Sequence, residues 1–177
     1  MDKTALRNSI RARKRAMTEE EIVSRSEALA QQFYASEAYK NAKTIYGYMP
    51  YNQEVRTIPM LEQAMKDVKR VAVPKCYCDQ MRFIYMDELS KVENGYANIP
   101  EPIADEPVAD DPTALVLMPG LAFTEDGKRM GYGGGFYDKV LAAEPTHPTV
   151  ALCYAFQMVE DLPTEDYDIP VDRVLHA

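Results

Sequence analysis

Ala114-Leu115-Val116-Leu117-Met118 is an unbroken apolar run stopped by Pro119-Gly120. A strand with one wet face would place a polar residue at every second position. This run has none, so it belongs at the centre of a sheet, buried on both faces. The rest of the chain supplies what such a sheet needs. Thr44-Ile45-Tyr46-Gly47-Tyr48 reads as a strand ending at Pro50, and residues 58–68 have helical spacing through Leu61, Met65 and Val68. Residues 70–73 form the next strand, stopped by Pro74, and residues 81–86 another. A helix is expected over 136–143, a strand over 149–153 and a last short strand over 171–175. This alternation predicts an α/β fold: one three-layer domain over residues 1–177, with a mostly parallel central sheet flanked by helices. A chain of 177 residues can build such a core without disulfides or metal staples.

Two helices lead the fold. Residues 2–17 place Leu6, Ile10, Arg13 and Met17 at helical spacing beside a second stripe of Lys3, Arg7, Arg11 and Arg15. Thr18 followed by Glu21 matches a capping box, opening a helix to about residue 34 with Ile22, Leu29 and Phe33 inward. Residues 99–112 differ: Pro100, Pro102, Pro107 and Pro112 stand among five carboxylates, the composition of an extended surface loop.

Charge is unevenly spread. Residues 1–17 hold six basic groups and one acid, a net of +5, while the other 160 residues hold 14 basic and 27 acidic groups, a net of -13. A basic leader on an acidic body suggests that the leader meets an anion. The acidity of the body repels a nucleic-acid backbone, and no aromatic-basic RNA-binding signature is present, so no nucleic-acid partner is expected. No run approaches the roughly 20 apolar residues of a membrane span, and the leader has no signal-peptide stretch, which predicts a cytoplasmic protein without a membrane partner. Cys76, Cys78 and Cys153 are odd in number, and Cys76-x-Cys78 is too tight for the usual zinc spacing, so all three read as ordinary thiols. His147 and His176 flank nothing that resembles a nucleophile.

Six of the eight glycines lie between Gly120 and Gly135. Glycines free a loop's amides and permit the positive φ values that turn several N–H groups inward, forming an anion nest at the start of the next helix. Lys128 and Arg129 add positive charge upstream, and Asp138 can face a divalent metal bridging phosphate oxygens. The spacing is neither a Walker A loop nor the dinucleotide fingerprint. On spacing alone, a nucleotide-phosphate site and a glycine-rich turn with no ligand both stay open.

The stretch Met118-Pro119-Gly120-Leu121-Ala122-Phe123-Thr124-Glu125-Asp126-Gly127-Lys128-Arg129-Met130-Gly131-Tyr132-Gly133-Gly134-Gly135-Phe136-Tyr137-Asp138 resembles the signature of the 5-formyltetrahydrofolate cyclo-ligase family. Lys3-Thr4-Ala5-Leu6-Arg7 resembles the family's opening, Tyr48-Met49-Pro50 with Glu54 its substrate segment, and Pro74-Lys75 the end of a strand. Ala155-Phe156-Gln157, Leu162-Pro163 and Asp168-Ile169-Pro170-Val171-Asp172 resemble its tail. The resemblance implies an ATP- and Mg²⁺-dependent closure of 5-formyltetrahydrofolate to 5,10-methenyltetrahydrofolate, releasing ADP and phosphate.

It also implies roles. Lys3, Thr4, Ala5, Leu6 and Arg7 match the family's N-terminal ATP contacts. Arg129, Met130, Gly131, Tyr132, Gly133, Gly134, Gly135, Phe136 and Tyr137 match the loop around the triphosphate, with Arg129, Tyr132 and Tyr137 in the catalytic part. Arg7, Met49, Glu54 and the stretch from Tyr132 to Phe136 match folate contacts. Asp138 and Asp172 match metal-binding carboxylates, and Lys75 is a further candidate for phosphate. Met130 stands where leucine is usual and Phe136 where tyrosine is common. Arg11, Arg13, Lys14 and Arg15 read as a solvated helix face outside the site. Tyr46, Tyr48, Tyr51 and Tyr154 are candidates either for the folate wall or for the aromatic core. The alternative from another class is a non-catalytic sensor of a nucleotide or phosphometabolite. A sensor does not require two carboxylates poised to place a metal at the γ-phosphate, so the enzyme reading is preferred. A monomer is expected.

Overall fold

The computed structural model describes residues 2–177. Helices α1 (Lys3–Arg15), α2 (Glu19–Ala35) and α3 (Glu37–Asn41) lead to β1 (Thr44–Tyr46). Then come α4 (Ile58–Lys66), β2 (Arg70–Tyr77), β3 (Gln80–Tyr85), β4 (Val92–Asn94) and β5 (Pro100–Pro102). The second half holds β6 (Leu115–Met118), β7 (Ala122–Phe123), β8 (Arg129–Met130), α5 (Phe136–Ala143), β9 (Thr149–Cys153) and β10 (Arg173–His176). Six strands form the main sheet in the order β10-β9-β6-β1-β2-β3, parallel except for β3, while β4-β5 and β7-β8 are separate hairpins.

The apolar run 114–118 lies at the centre as its composition requires. Leu115 and Leu117 face one side with Ile45, Val71 and Val150, packing on Leu29 and Phe33 of α2, Tyr39 of α3 and Leu61 of α4. Val116 and Met118 face the other with Tyr46, Ala72 and Ala151, packing on Leu141 of α5 and on Phe123. Each fully buried leucine or valine removes apolar surface worth about 1.5–3 kcal/mol. Helix α1 does not cover the sheet. Its Leu6 and Ile10 pack on Leu121, Ala122 and Met130 of the β7-β8 region and on Leu162.

Local chemistry fixes the helix ends. Asp2 accepts a hydrogen bond from Ala5 N–H at the start of α1, and Thr18 Oγ1 accepts from Glu21 N–H at the start of α2. Three glutamates in the first turn of α2 and three cations in the last turn of α1 match the helix dipoles. Helix α3, with five residues, is too short to show a periodicity in the sequence. Ser36 nucleates it by accepting from Tyr39 N–H.

Two expectations need correction. Strand β2 does not stop at Pro74 but continues to Tyr77 against β3. Pro74 opposes Phe83, whose carbonyl turns away to accept from Ala109 N–H, so this pair exchanges no ladder bonds and the missing proline N–H costs none. Residues 99–112 are not all loop. Residues 100–102 pair with β4, and residues 107–109 run along the outer edge of β3, where Tyr85 N–H donates to the Pro107 carbonyl. The prolines sit where only a carbonyl is needed, so the segment can cover the β3 edge.

Candidate active site

The parallel strands β1, β2 and β6 finish on one side of the sheet, where open α/β sheets place their ligand crevices. A cavity of about 540 Å³ lies there. One wall is α1, through Lys3, Arg7 and Arg11; another is the segment after β1, through Tyr48, Met49, Tyr51 and Glu54. Cys76 of β2 and Tyr96 and Glu101 of the β4-β5 hairpin add a third, and residues 131–138 close the fourth.

The glycine loop is built to leave amides free. Gly133 has φ +110° and Gly135 has φ +70°, conformations strained for any residue with a Cβ. Gly135 is also the N-cap of α5 and has no side chain to engage the first-turn N–H groups. Beneath the loop lies Arg129, whose side chain is 7% exposed. Its Nη1 donates to the Pro119 carbonyl at 3.1 Å and its Nη2 to Asp138 Oδ2 at 3.3 Å, yet its Nε is buried without a partner. Arg7 Nε is likewise buried and unpartnered. A buried donor left unsatisfied costs about 1–3 kcal/mol. Two such donors on one cavity, beside uncapped helix amides, are chemistry that an oligoanion relieves.

The other end of the cavity is different. Met49 is buried, and Glu54 Oε1 accepts from Tyr51 N–H at 2.9 Å while Oε2 accepts from Tyr132 O–H at 3.2 Å. Burial pushes the Glu54 carboxyl above the usual range, opposed by the Lys14 ammonium and by these two hydrogen bonds. This end offers a carboxylate acceptor beside apolar and aromatic side chains, the needs of a flat heterocycle rich in N–H groups.

The structure brings together most of the residues singled out in the sequence. Lys3, Arg7, Met49, Glu54, Arg129, Met130, Tyr137, Asp138, Phe136 and the loop from Gly131 to Gly135 all line the cavity. Phe136 meets Tyr96 edge-on, with ring centroids 5.5 Å apart. Thr4 and Ala5 are exposed, and Leu6 packs beneath α1, so these three do not line it. Asp172 does not line the cavity: it accepts from Thr149 N–H at 2.9 Å, where β9 and β10 begin. Lys75 does not reach the cavity either, because its Nζ is held by the Ile103 carbonyl at 3.0 Å and Asp105 at 3.2 Å. Lys128 pairs with Asp161 at 2.6 Å instead of joining the pocket. Tyr48 and Tyr51 line the wall, whereas Tyr46 stacks on Phe83 and Tyr154 donates to the Gln53 carbonyl.

The expected solvated face of α1 needs correction too. Arg11 lines the cavity and Lys14 is 6% exposed. The signal was present, since Leu6, Ile10 and Lys14 form an i, i+4, i+8 stripe that turns Lys14 inward. Tyr96, Glu101 and Tyr167 also line the cavity and carried no motif, and so does Asp168, which the tail resemblance includes without assigning it a role.

A sequence profile of the 5-formyltetrahydrofolate cyclo-ligase family matches residues 1–177. The chain belongs to that family. A mouse 5-formyltetrahydrofolate cyclo-ligase is 29% identical over 98% of this chain and 93% of its own length. The Escherichia coli K12 5-formyltetrahydrofolate cyclo-ligase is 31% identical, covering 94% of this chain and 95% of its own. The solution structure of Aquifex aeolicus 5,10-methenyltetrahydrofolate synthetase superposes with a TM-score of 0.85 at 28% identity, covering 99% of this chain and 90% of that one. Among the described residues of this cyclo-ligase family member, no group of three or more His, Cys, Asp or Glu side chains is set to hold a metal ion. Asp138, just past the glycine loop, lines the cavity and pairs with Arg129. Magnesium commonly takes one or two carboxylates plus phosphate oxygens and water. These residues therefore fit a magnesium ion carried on a triphosphate, not one held by protein ligands alone. No helix among the described residues is long and apolar enough to cross a membrane.

Proposed function

We propose that this family member is an ATP- and Mg²⁺-dependent ligase that closes 5-formyltetrahydrofolate to 5,10-methenyltetrahydrofolate, releasing ADP and phosphate. The observation that carries the reading is the pair of buried, unpartnered arginine Nε atoms of Arg7 and Arg129 beside the uncapped N-terminus of α5, in one cavity with Glu54. The triphosphate lies against the glycine loop, with Arg7, Lys3 and Arg129 on its oxygens. The pterin lies toward Glu54, Met49 and Tyr51.

The reaction needs ATP because a formamide oxygen leaves poorly. The formyl oxygen attacks the γ-phosphorus, the bond to the bridging oxygen of ADP breaks, and a phosphorylated iminium results. N10 then attacks the formyl carbon and gives up its proton, and the C–O bond breaks to release phosphate. No covalent enzyme intermediate is required, so the protein's work is alignment, charge neutralisation and exclusion of water. Arg129 neutralises charge on the transferred group and is itself aimed by Asp138 and the Pro119 carbonyl. Tyr132 and Tyr137 bound the space between the two substrates, and Tyr137, whose burial raises its hydroxyl well above the ordinary range, stays a neutral donor. Asp138 would help hold a magnesium ion carried by the nucleotide, and that ion would supply further charge neutralisation.

The test is to mix purified protein with 5-formyltetrahydrofolate, ATP and Mg²⁺ and follow the near-ultraviolet absorbance of the methenyl product. ATP-dependent appearance of that absorbance supports the reading. ATP binding without product favours a nucleotide sensor instead.

A further inference from the structure

Lys14 is 6% exposed at the inner side of α1 and, among the described residues, forms no ion pair within 4.0 Å. Burial lowers its pKa, so the ammonium is held at an electrostatic cost. Its Nζ instead donates to Tyr132 Oη at 3.4 Å and lies 5.9 Å from the centroid of that ring. The same hydroxyl donates to Glu54 Oε2 at 3.2 Å. Nζ and Oε2 are therefore separated by no more than these two contacts laid end to end, about 6.6 Å. A cation this close favours the ionised carboxylate, and Lys14 is the largest influence set against burial at Glu54.

We propose that Lys14 is a positioning residue that keeps Glu54 ionised and aimed into the cavity for the pterin's N–H groups, acting through the Tyr132 hydroxyl. The inference rests on the folate reading of the cavity. The groups facing Glu54 come from five places in the chain. Helix α1 gives Lys14, the glycine loop Tyr132, α5 Tyr137, and the segment after β1 gives Tyr48 and the Tyr51 N–H. Tyr154, after β9, also faces it. Lys14 is the cation of this set, with Arg11 the next positive charge behind it. A direct ion pair would occupy the carboxylate oxygens that must receive the pterin. Placing a hydroxyl between ammonium and carboxylate keeps the favourable potential while leaving lone pairs free.

The experiment compares wild type with Lys14→Met, measuring the dissociation constant of 5-formyltetrahydrofolate without ATP across the acid range. In wild type, affinity falls as Glu54 protonates. Without the ammonium, burial is opposed only by the hydrogen bonds from Tyr51 and Tyr132, and this acid limb moves to higher pH by about one unit. ATP affinity stays within about twofold. In a Glu54→Gln background, Lys14→Met adds no further loss, because a residue acting through Glu54 is non-additive with it. An unmoved acid limb, or full additivity with Glu54→Gln, overturns the inference and makes Lys14 a packing residue. If Lys14→Met does not fold, Lys14→Gln removes the charge while keeping a polar head and takes its place. Because the titration reads binding and not turnover, its outcome is separate from that of the methenyl assay. A wild type that binds 5-formyltetrahydrofolate with this limb but forms no product overturns the reaction and supports the Lys14 role; a wild type that does not bind it overturns both.

Discussion

Replacing Arg129 with methionine separates what this side chain does for the fold from what it does for the ligand. The guanidinium and Asp138 form an ion pair at 3.3 Å, with side chains 7% and 18% exposed. Removing one partner of a largely buried pair costs about 3 kcal/mol, since the remaining charge loses its compensation. For a chain of this size that lowers Tm by roughly 6–12 °C. Asp138 keeps one bond, from Ile169 N–H at 3.2 Å, which an asparagine can also accept. The double variant Arg129→Met/Asp138→Asn therefore regains more than half of the lost stability. ATP use does not return with it. One charge-assisted hydrogen bond to phosphate contributes about 1.5–3 kcal/mol, so KM for ATP rises roughly tenfold to a hundredfold in both variants. The assay is thermal unfolding beside KM for ATP on the same preparations. An unchanged KM in Arg129→Met, or a KM restored together with Tm in the double variant, refutes the assignment of Arg129 to the triphosphate.

Glu54→Gln raises KM for 5-formyltetrahydrofolate at least about tenfold and leaves KM for ATP nearly unchanged; equal loss of both contradicts the division of the cavity. Because burial raises the Glu54 pKa and its ionised form binds, the acid limb of kcat/KM for the folate lies above the ordinary glutamate pKa of about 4.3, and Glu54→Gln removes it. Lys75→Met loosens the 103–105 segment that Lys75 ties down, lowering stability by about 1–3 kcal/mol with no change in KM for ATP, as thermal unfolding and kinetics together will read. Gly135→Ala forces a Cβ onto φ +70°, costing about 1 kcal/mol of stability, and lowers kcat further by displacing the first-turn amides of α5; equal activity at lower Tm makes the loop structural only.

Much of this arrangement was legible in the chain. The apolar run 114–118 located the central strand, Thr18 and Glu21 located the start of α2, and the glycine cluster located the loop beside Arg129. The rest depends on contacts between residues distant in the chain. Pro74 reads as a strand end until the pairing with Phe83 shows that its missing donor faces no partner. In sequence Lys75 is a candidate for phosphate and Lys128 a nearby positive charge, and only the fold shows Lys75 paired with Asp105 and Lys128 with Asp161. Asp172 follows a tail motif, and only the fold shows it bound to Thr149 and outside the cavity lining. Lys14 misled in the other direction: a lysine among arginines suggests solvent, and only its place in the Leu6, Ile10 stripe argued for burial.

The most direct measurement follows the formyl oxygen itself. With 5-formyltetrahydrofolate carrying heavy oxygen in the formyl group, phosphorylation at that oxygen puts one heavy atom into each phosphate released, at the same rate as methenyl absorbance appears. Unlabelled phosphate formed alongside the methenyl product contradicts the account.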